Sequence, residues 1–153
     1  MPTRLKKLLI LPVAFAFTPM AAHACRCMGP KPSTDVLISS HSLVFIGHAV
    51  SSKLILGPKG RFDAYTEFTF VPVEIFKGNP KAKEFKMLTH GTTCDENYQL
   101  GVDYVIYANE SGNEGFYAST CDYPKFLRFA DVDDESKKVR EATRRVEAAE
   151  KPK

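Results

Sequence analysis

Four cysteines, two of them one residue apart near the amino terminus, constrain this chain more than any other feature. Cys25 and Cys27 flank Arg26, and Cys94 and Cys121 follow far downstream. In an exported chain, four cysteines read as two disulfides, and sequence alone allows three pairings. Joining Cys25 to Cys27 would close a very tight ring, so two pairings remain open. Either one clamps a short segment from both sides and closes loops of roughly 70–95 residues, each worth ~4–5 kcal/mol in the chain-entropy treatment.

The residues ahead of Cys25 read as an export leader. Arg4, Lys6 and Lys7 form a basic region, Leu8 to Phe17 an apolar core, and Ala22 and Ala24 the small residues before a cleavage site. The core is about half the ~20 residues a membrane span needs, and Pro12 interrupts it. Acylation of Cys25 would leave an odd count of three thiols. Cleavage between Ala24 and Cys25 is therefore expected, with residues 1–24 removed and the product secreted or periplasmic. Removing 24 of 153 residues leaves 129, enough for one domain with a real core. The chain has 21 Lys+Arg against 18 Asp+Glu, and the leader's three bases account for the whole net charge of +3. A neutral mature chain gives no support for a nucleic-acid partner, and no membrane association is expected after cleavage.

Along the mature chain, Ser33 reads as the N-cap of a short helix through about His41, with Val36 and Leu37 facing inward. Leu43 to Leu56 reads as a long strand and Phe62 to Phe76 as a second, joined by the turn Gly57-Pro58-Lys59-Gly60. In the second strand, Phe68 and Phe70 share one phase of the two-residue period, and Val71, Val73 and Ile75 share the other. The inward face is expected to switch at a bulge or bend near Pro72. Glu84 to Leu88, Tyr104 to Ala108 and Phe116 to Thr120 complete five strands. Five strands with little intervening helix point to a small all-β closed barrel. From Asp131 the acids Asp131, Asp133, Asp134 and Glu135 precede the bases Lys137, Lys138, Arg140, Arg144 and Arg145, the order that suits a helix dipole. Val139, Ala142, Val146 and Ala149 give that segment a thin apolar stripe, so residues 131–153 are expected to form a charged helix on the barrel or a tail.

These residues together resemble the netrin-like module, and within it the inhibitory domain of the tissue inhibitors of metalloproteinases, here as a bacterial-type relative. The resemblance spans about residues 25–130. It is carried by Cys25-Arg26-Cys27 with Pro30 close behind, the strand Leu43 to Val50, Phe76-Lys77-Gly78, Thr92-Thr93-Cys94, Leu100-Gly101 with Tyr104 and Ala108, and Cys121-Asp122. It implies an all-β, five-stranded OB-type closed barrel with a short N-terminal helix and a C-terminal helix. It also implies the pairings Cys25–Cys94 and Cys27–Cys121, a monomer, and a zinc metalloprotease as partner.

The implied mechanism is chemical. A catalytic zinc keeps one position open for water. The freed α-amine and carbonyl oxygen of Cys25 would form a five-membered chelate there. An α-amine has a reference pKa near ~7.7–8.0, so zinc can recruit its neutral form at physiological pH. Two bridges would remove the ordering cost on binding. Arg26 would enter the primed-side pocket, and Cys27, Met28, Thr92 and Thr93 would extend the contact. Two departures stand out: Arg26 occupies a position where the animal inhibitors carry a small hydroxyl residue, and Met28-Gly29 puts one extra residue before the proline.

The alternative is a non-inhibitory extracytoplasmic binding or structural module, because a fold carries no function by itself. No catalytic residues, cofactor or metal site of the chain's own are expected. HExxH, the nucleophile elbow and the phosphate-binding glycine loop are all missing from the sequence. His41, His48 and His90 are scattered and read as polar or strand residues. Asn109-Glu110-Ser111 is a glycosylation sequon, relevant in a eukaryote only.

Overall fold

The computed structural model describes residues 27–57, 60–92, 94–112 and 115–151. The expected leader and its cleavage site, Cys25, Arg26 and Thr93 lie outside them.

Ser33 caps α1 (Thr34–Ser40), its hydroxyl accepting from the Val36 amide at 3.4 Å. The inward arc of this two-turn helix falls on Leu37 and Ile38, which are both buried. Val36, expected inward, is 52% exposed. Ile38 takes its place because α1 meets the sheet and the C-terminal helix together, so its inward arc falls on consecutive residues.

Two long strands follow, β1 (Leu43–Gly57) and β2 (Gly60–Lys77), then β3 (Phe85–Thr89), β4 (Asp103–Ser111) and β5 (Gly115–Tyr117). β1 pairs with β2 and β2 with β3, all antiparallel; β3 pairs parallel with β5, and β5 pairs antiparallel with β4. β4 then pairs with β1 from Leu43↔Ala108 to His48↔Asp103, closing a ring of five strands. The short β6 (Lys125–Leu127), which the sequence pattern does not announce, adds to the outer edge of β4. The fifth strand stops at Tyr117 rather than Thr120, because Thr120–Asp122 turns into a 3₁₀ helix.

The period-2 rule accounts for the two cores. Leu43, Phe45 and Ala49 of β1 and Tyr104, Ile106 and Ala108 of β4 point into the ring, with Phe68, Phe70, Phe85, Met87 and Tyr98. Val44, Ile46, Val105 and Tyr107 point out and lie under the helices. Strands buried on both faces explain the near-continuous apolar runs Leu43–Ile46 and Tyr104–Ala108.

β2 changes face as expected: Phe68 and Phe70 fill the ring, and farther along Ile75 packs into it instead. The register places Gly47 opposite Pro72 and Ile46 opposite Glu74, so Val73 is the extra residue of a bulge. Val71 and Val73 point to solvent, Val73 being 59% exposed. They were expected to share the inward phase with Ile75. The bulge resets the alternation only after Val73, so both fall on its outer side.

α2 (Val132–Glu150) lies across the outside of β1 and β4 with Val139 and Ala142 buried, Val146 half-buried and Ala149 exposed at its end. Asp133, Asp134 and Glu135 occupy its first turn, where the dipole favours acids. Glu135 is tied back to Lys125 of β6 at 2.6 Å, and Arg145 to Asp35 of α1 at 2.6 Å. Among the described residues, no helix is long and apolar enough to cross a membrane.

The parallel β3–β5 contact is the short link in the ring, among the described residues only Met87↔Phe116 and Leu88↔Tyr117. Gly115 permits it: a Cβ there would come within 2.7 Å of the Lys86 carbonyl oxygen. Gly115→Ala is expected to destabilise the fold by ~1–3 kcal/mol through this backbone clash. A urea titration monitored by far-ultraviolet circular dichroism reads the shift in midpoint, and an unchanged midpoint would show that the link tolerates the methyl group.

Candidate functional site

The described chain begins at one end of the ring, held by sulfur. Cys27 is bridged to Cys121 across 94 positions of sequence, with the two Cα atoms 5.4 Å apart. Of the two bridges expected, this one is present, and the other includes Cys25. Cys94 is also disulfide-bonded, and no described cysteine is a free thiol. Past Cys27 the chain stands off the body: Met28 is 98% exposed and Gly29 adopts φ +91°. It returns where the Lys31 ammonium lies 5.3 Å from the centre of the Tyr123 ring.

Cys94 and Cys121, far apart in sequence, sit on neighbouring backbones. The Thr120 amide donates to the Cys94 carbonyl at 2.9 Å and the Thr120 hydroxyl at 3.3 Å. Asp95 and Ser119 form an antiparallel bridge beside them. Each segment is also fixed from within. In the Gly91–Asp95 loop, Asp95 Oδ2 accepts from the Thr92 amide at 2.8 Å, and the Thr92 hydroxyl accepts from the Cys94 amide at 3.3 Å. Asp95 Oδ1 accepts from the Tyr117 hydroxyl at 2.9 Å. Burial works against the Asp95 charge, but these donors outweigh it and hold the carboxyl below its ordinary range. Partial burial and the Asp95 carboxylate push the Tyr117 phenol up to about 12.

Around Cys121 the turn Ser119-Thr120-Cys121-Asp122 is a capping box. The Ser119 hydroxyl accepts from the Cys121 amide at 3.2 Å, and Asp122 Oδ2 accepts from the Ser119 amide at 2.7 Å. Asp122 Oδ1 meets Nε2 of His41 at 3.1 Å. Burial opposes the Asp122 charge too, and His41 with the Ser119 amide overrides it, so this carboxyl also lies below its ordinary range.

Thr92 is exposed and forms a wall shared by two clefts. One, of about 410 Å³, is lined by His90, Asn109, Glu110 and Tyr117; the other, of about 240 Å³, by Thr66, Thr89, Glu96 and Asn97. Burial alone raises the Glu96 carboxyl.

No protein-family model matches the chain, and no curated protein matches it.

Of the residues singled out from sequence, Cys27, Met28 and Thr92 can be placed, and the Cys94–Thr120 contact joins the Thr92 loop to the Cys121 anchor. The histidines have separate surroundings. His41 is buried against Asp122, His48 meets Asp103 at 3.0 Å, and His90 lies between the rings of Tyr65 and Tyr117. Among the described residues, no three His, Cys, Asp or Glu side chains stand close enough to hold a metal. Asn109 of the sequon accepts from the Ser42 amide at 3.0 Å, so its side chain is already engaged.

Sequence reasoning overlooked Asp95, Ser119 and the role of His41. The Ser-x-x-Asp spacing of Ser119 and Asp122 is a capping signature that could have been read. Nothing local foretells His41 meeting Asp122 from 81 positions away.

Proposed function

We propose that this chain is an exported netrin-like inhibitor of zinc metalloproteases, with an OB-type five-stranded closed barrel as its body. Cleavage after Ala24 frees the Cys25 amine. A Cys25–Cys94 bridge beside Cys27–Cys121 then holds that amine and the Cys25 carbonyl oxygen as a bidentate ligand for the target's zinc. Arg26 faces the adjoining pocket, and Met28, Thr92 and Thr93 flank it. The chain carries no cofactor and no catalytic machinery of its own in this reading, and works outside the cytoplasm.

The observation that carries the reading is the hydrogen-bonded contact of the Cys94 and Cys121 segments. Paired backbones lie about 5 Å apart, and two residues of extended chain span roughly 6.6 Å. A Cys-x-Cys end fastened to Cys121 thus has the reach to fasten to Cys94 as well. The strand order β1-β2-β3-β5-β4-β1 supports the OB-type assignment, and Cys27–Cys121 suits an oxidising compartment. The exposed Met28 and Thr92 at that end suit contact with a protein surface rather than a small substrate.

Amino-terminal sequencing of exported protein is expected to begin at Cys25. Adding one alanine ahead of Cys25 is expected to weaken inhibition of a susceptible zinc endopeptidase by a hundredfold or more, about 2.8 kcal/mol, because the chelating amine becomes an amide. Equal inhibition by the extended protein would remove the amine from the mechanism. A correctly processed protein that inhibits no member of a protease panel would be the non-inhibitory binding module instead.

A further inference from the structure

His41 follows α1 as its C-cap and is 6% exposed. Its ring is gripped at both nitrogens. Nδ1 lies 2.6 Å from the Leu37 carbonyl oxygen, and Nε2 lies 3.1 Å from Asp122 Oδ1. A carbonyl and a carboxylate can only accept, so each contact needs a proton on the nitrogen that faces it. A neutral imidazole carries one such proton. With it on Nδ1, the Nε2 lone pair faces a carboxylate; with it on Nε2, the Nδ1 lone pair faces the Leu37 oxygen. Ser40 does not relieve this: its one hydroxyl proton can reach the Val36 carbonyl at 2.7 Å, the Leu37 carbonyl at 3.3 Å or Nδ1 at 3.1 Å, and giving it to Nδ1 still leaves that nitrogen unprotonated against the Leu37 oxygen at 2.6 Å. Only the imidazolium satisfies both sides.

We propose that protonated His41 is a positioning residue that locks α1 to the Thr120–Asp122 turn, and with it the Cys27–Cys121 anchor, so that the anchored end is held firmly at acidic to neutral pH and loosens as His41 deprotonates.

The other groups facing the ring are few. Lys77 of β2 donates to the Ile38 and Ser39 carbonyls at 2.9 and 3.4 Å, and its charge opposes the imidazolium. Tyr107 of β4 places its ring 6.0 Å away, and burial keeps its phenol neutral. Asp122, from the turn, is the one carboxylate against the ring among the described residues. Burial opposes the imidazolium, but Asp122 and the Leu37 carbonyl outweigh it, and the titration of His41 moves above its ordinary value of 6.5. A raised folded-state value gives a contribution fully present below about 6.5 and lost as pH rises through the folded value. On the acid side, the lowered Asp122 carboxyl keeps the pair intact down to below 3.8. Rigidity of the anchored end bears on inhibition only through the function proposed above; the lock itself does not depend on that reading.

The test needs no protease. Ring-nitrogen NMR of the full oxidised chain is expected to show His41 doubly protonated at pH 6.5 and titrating above it, with Asp122→Asn returning the titration to 6.5 or below. Amide-exchange protection over 37–41 and 120–123 is expected to fall roughly tenfold between about pH 5.5 and 8.5, the loss of one charge-assisted hydrogen bond. In His41→Asn that fall should shrink to less than about twofold. A wild-type His41 that titrates at or below 6.5 overturns the proposal, as does wild-type protection that is flat across this range. The wild-type measurements stand alone if either variant fails to fold. Loss of inhibition on alanine extension, or its absence, leaves all of these readouts unchanged.

Discussion

Replacing Cys27 and Cys121 together by alanine is expected to remove about 3–4 kcal/mol of stability. The bridge spans 94 positions, but with Cys94 bridged to Cys25 as proposed the loop it closes is about 30 residues, and that is the freedom the unfolded chain regains. Such a loss is a large part of the ~5–15 kcal/mol stability of an ordinary domain. The double replacement avoids a stray thiol, and Cys94 stays oxidised. The damage should be focused as well as global. The bridge ties the Met28–Pro32 segment to the body, where Lys31 over the Tyr123 ring also holds it. Urea denaturation of the oxidised proteins gives the difference directly. A loss below about 1 kcal/mol would mean that the unfolded chain is already restricted or that the native bridge costs what it gains.

Phe70→Ala should cost a similar 3–5 kcal/mol, for a different reason. Phe70 is fully buried at the centre of the ring and meets Phe45, Tyr98 and Tyr104 edge-on, with ring centroids 5.8, 5.0 and 6.1 Å away. Removing it empties a space walled largely by strand-borne side chains, which collapse little because β2 is pinned to β1 on one side and β3 on the other. Edge-to-face pairs add ~0.5–1.5 kcal/mol each beyond area burial, and three are lost together. Thermal or urea unfolding with an unchanged m-value would report this as a native-state loss. A cost under about 2 kcal/mol would mean that Tyr98 or Phe45 moves in to fill the space.

Much of the strand framework is legible in the residues. β1 and β2 announce themselves by length and by flanking Gly-Pro turns, and the face switch near Pro72 follows from two out-of-phase apolar sets. The details fail where tertiary contacts choose among equal local options. Val73 is as apolar as Ile75, and only the register against Ile46 and Gly47 decides that it becomes the bulge and faces solvent. Val36 and Ile38 are both β-branched and lie on the same short helix, and the position of α2 selects Ile38. β6 is invisible because three residues, Lys125 to Leu127, carry too little pattern to outweigh a loop reading.

The candidate site divides the same way. Its covalent logic lies in the sequence, since a Cys-x-Cys pair and two later cysteines bind one short segment to two places whatever the fold. That those two places touch, through Thr120 and Cys94, is a product of the strand order alone, because hydrogen bonds between segments 26 residues apart leave no local trace. The same holds for His41: an imidazole beside a helix end has one ordinary meaning, and becomes a cation held between two acceptors only when the ring of strands delivers Asp122 to it. Residue order set the periodicities, the turns and the sulfur count of this protein, since each depends on near neighbours. Closure of the sheet decided which apolar residues fill it, which cysteines meet and which histidine is gripped between two acceptors, since each depends on surfaces that exist only after folding.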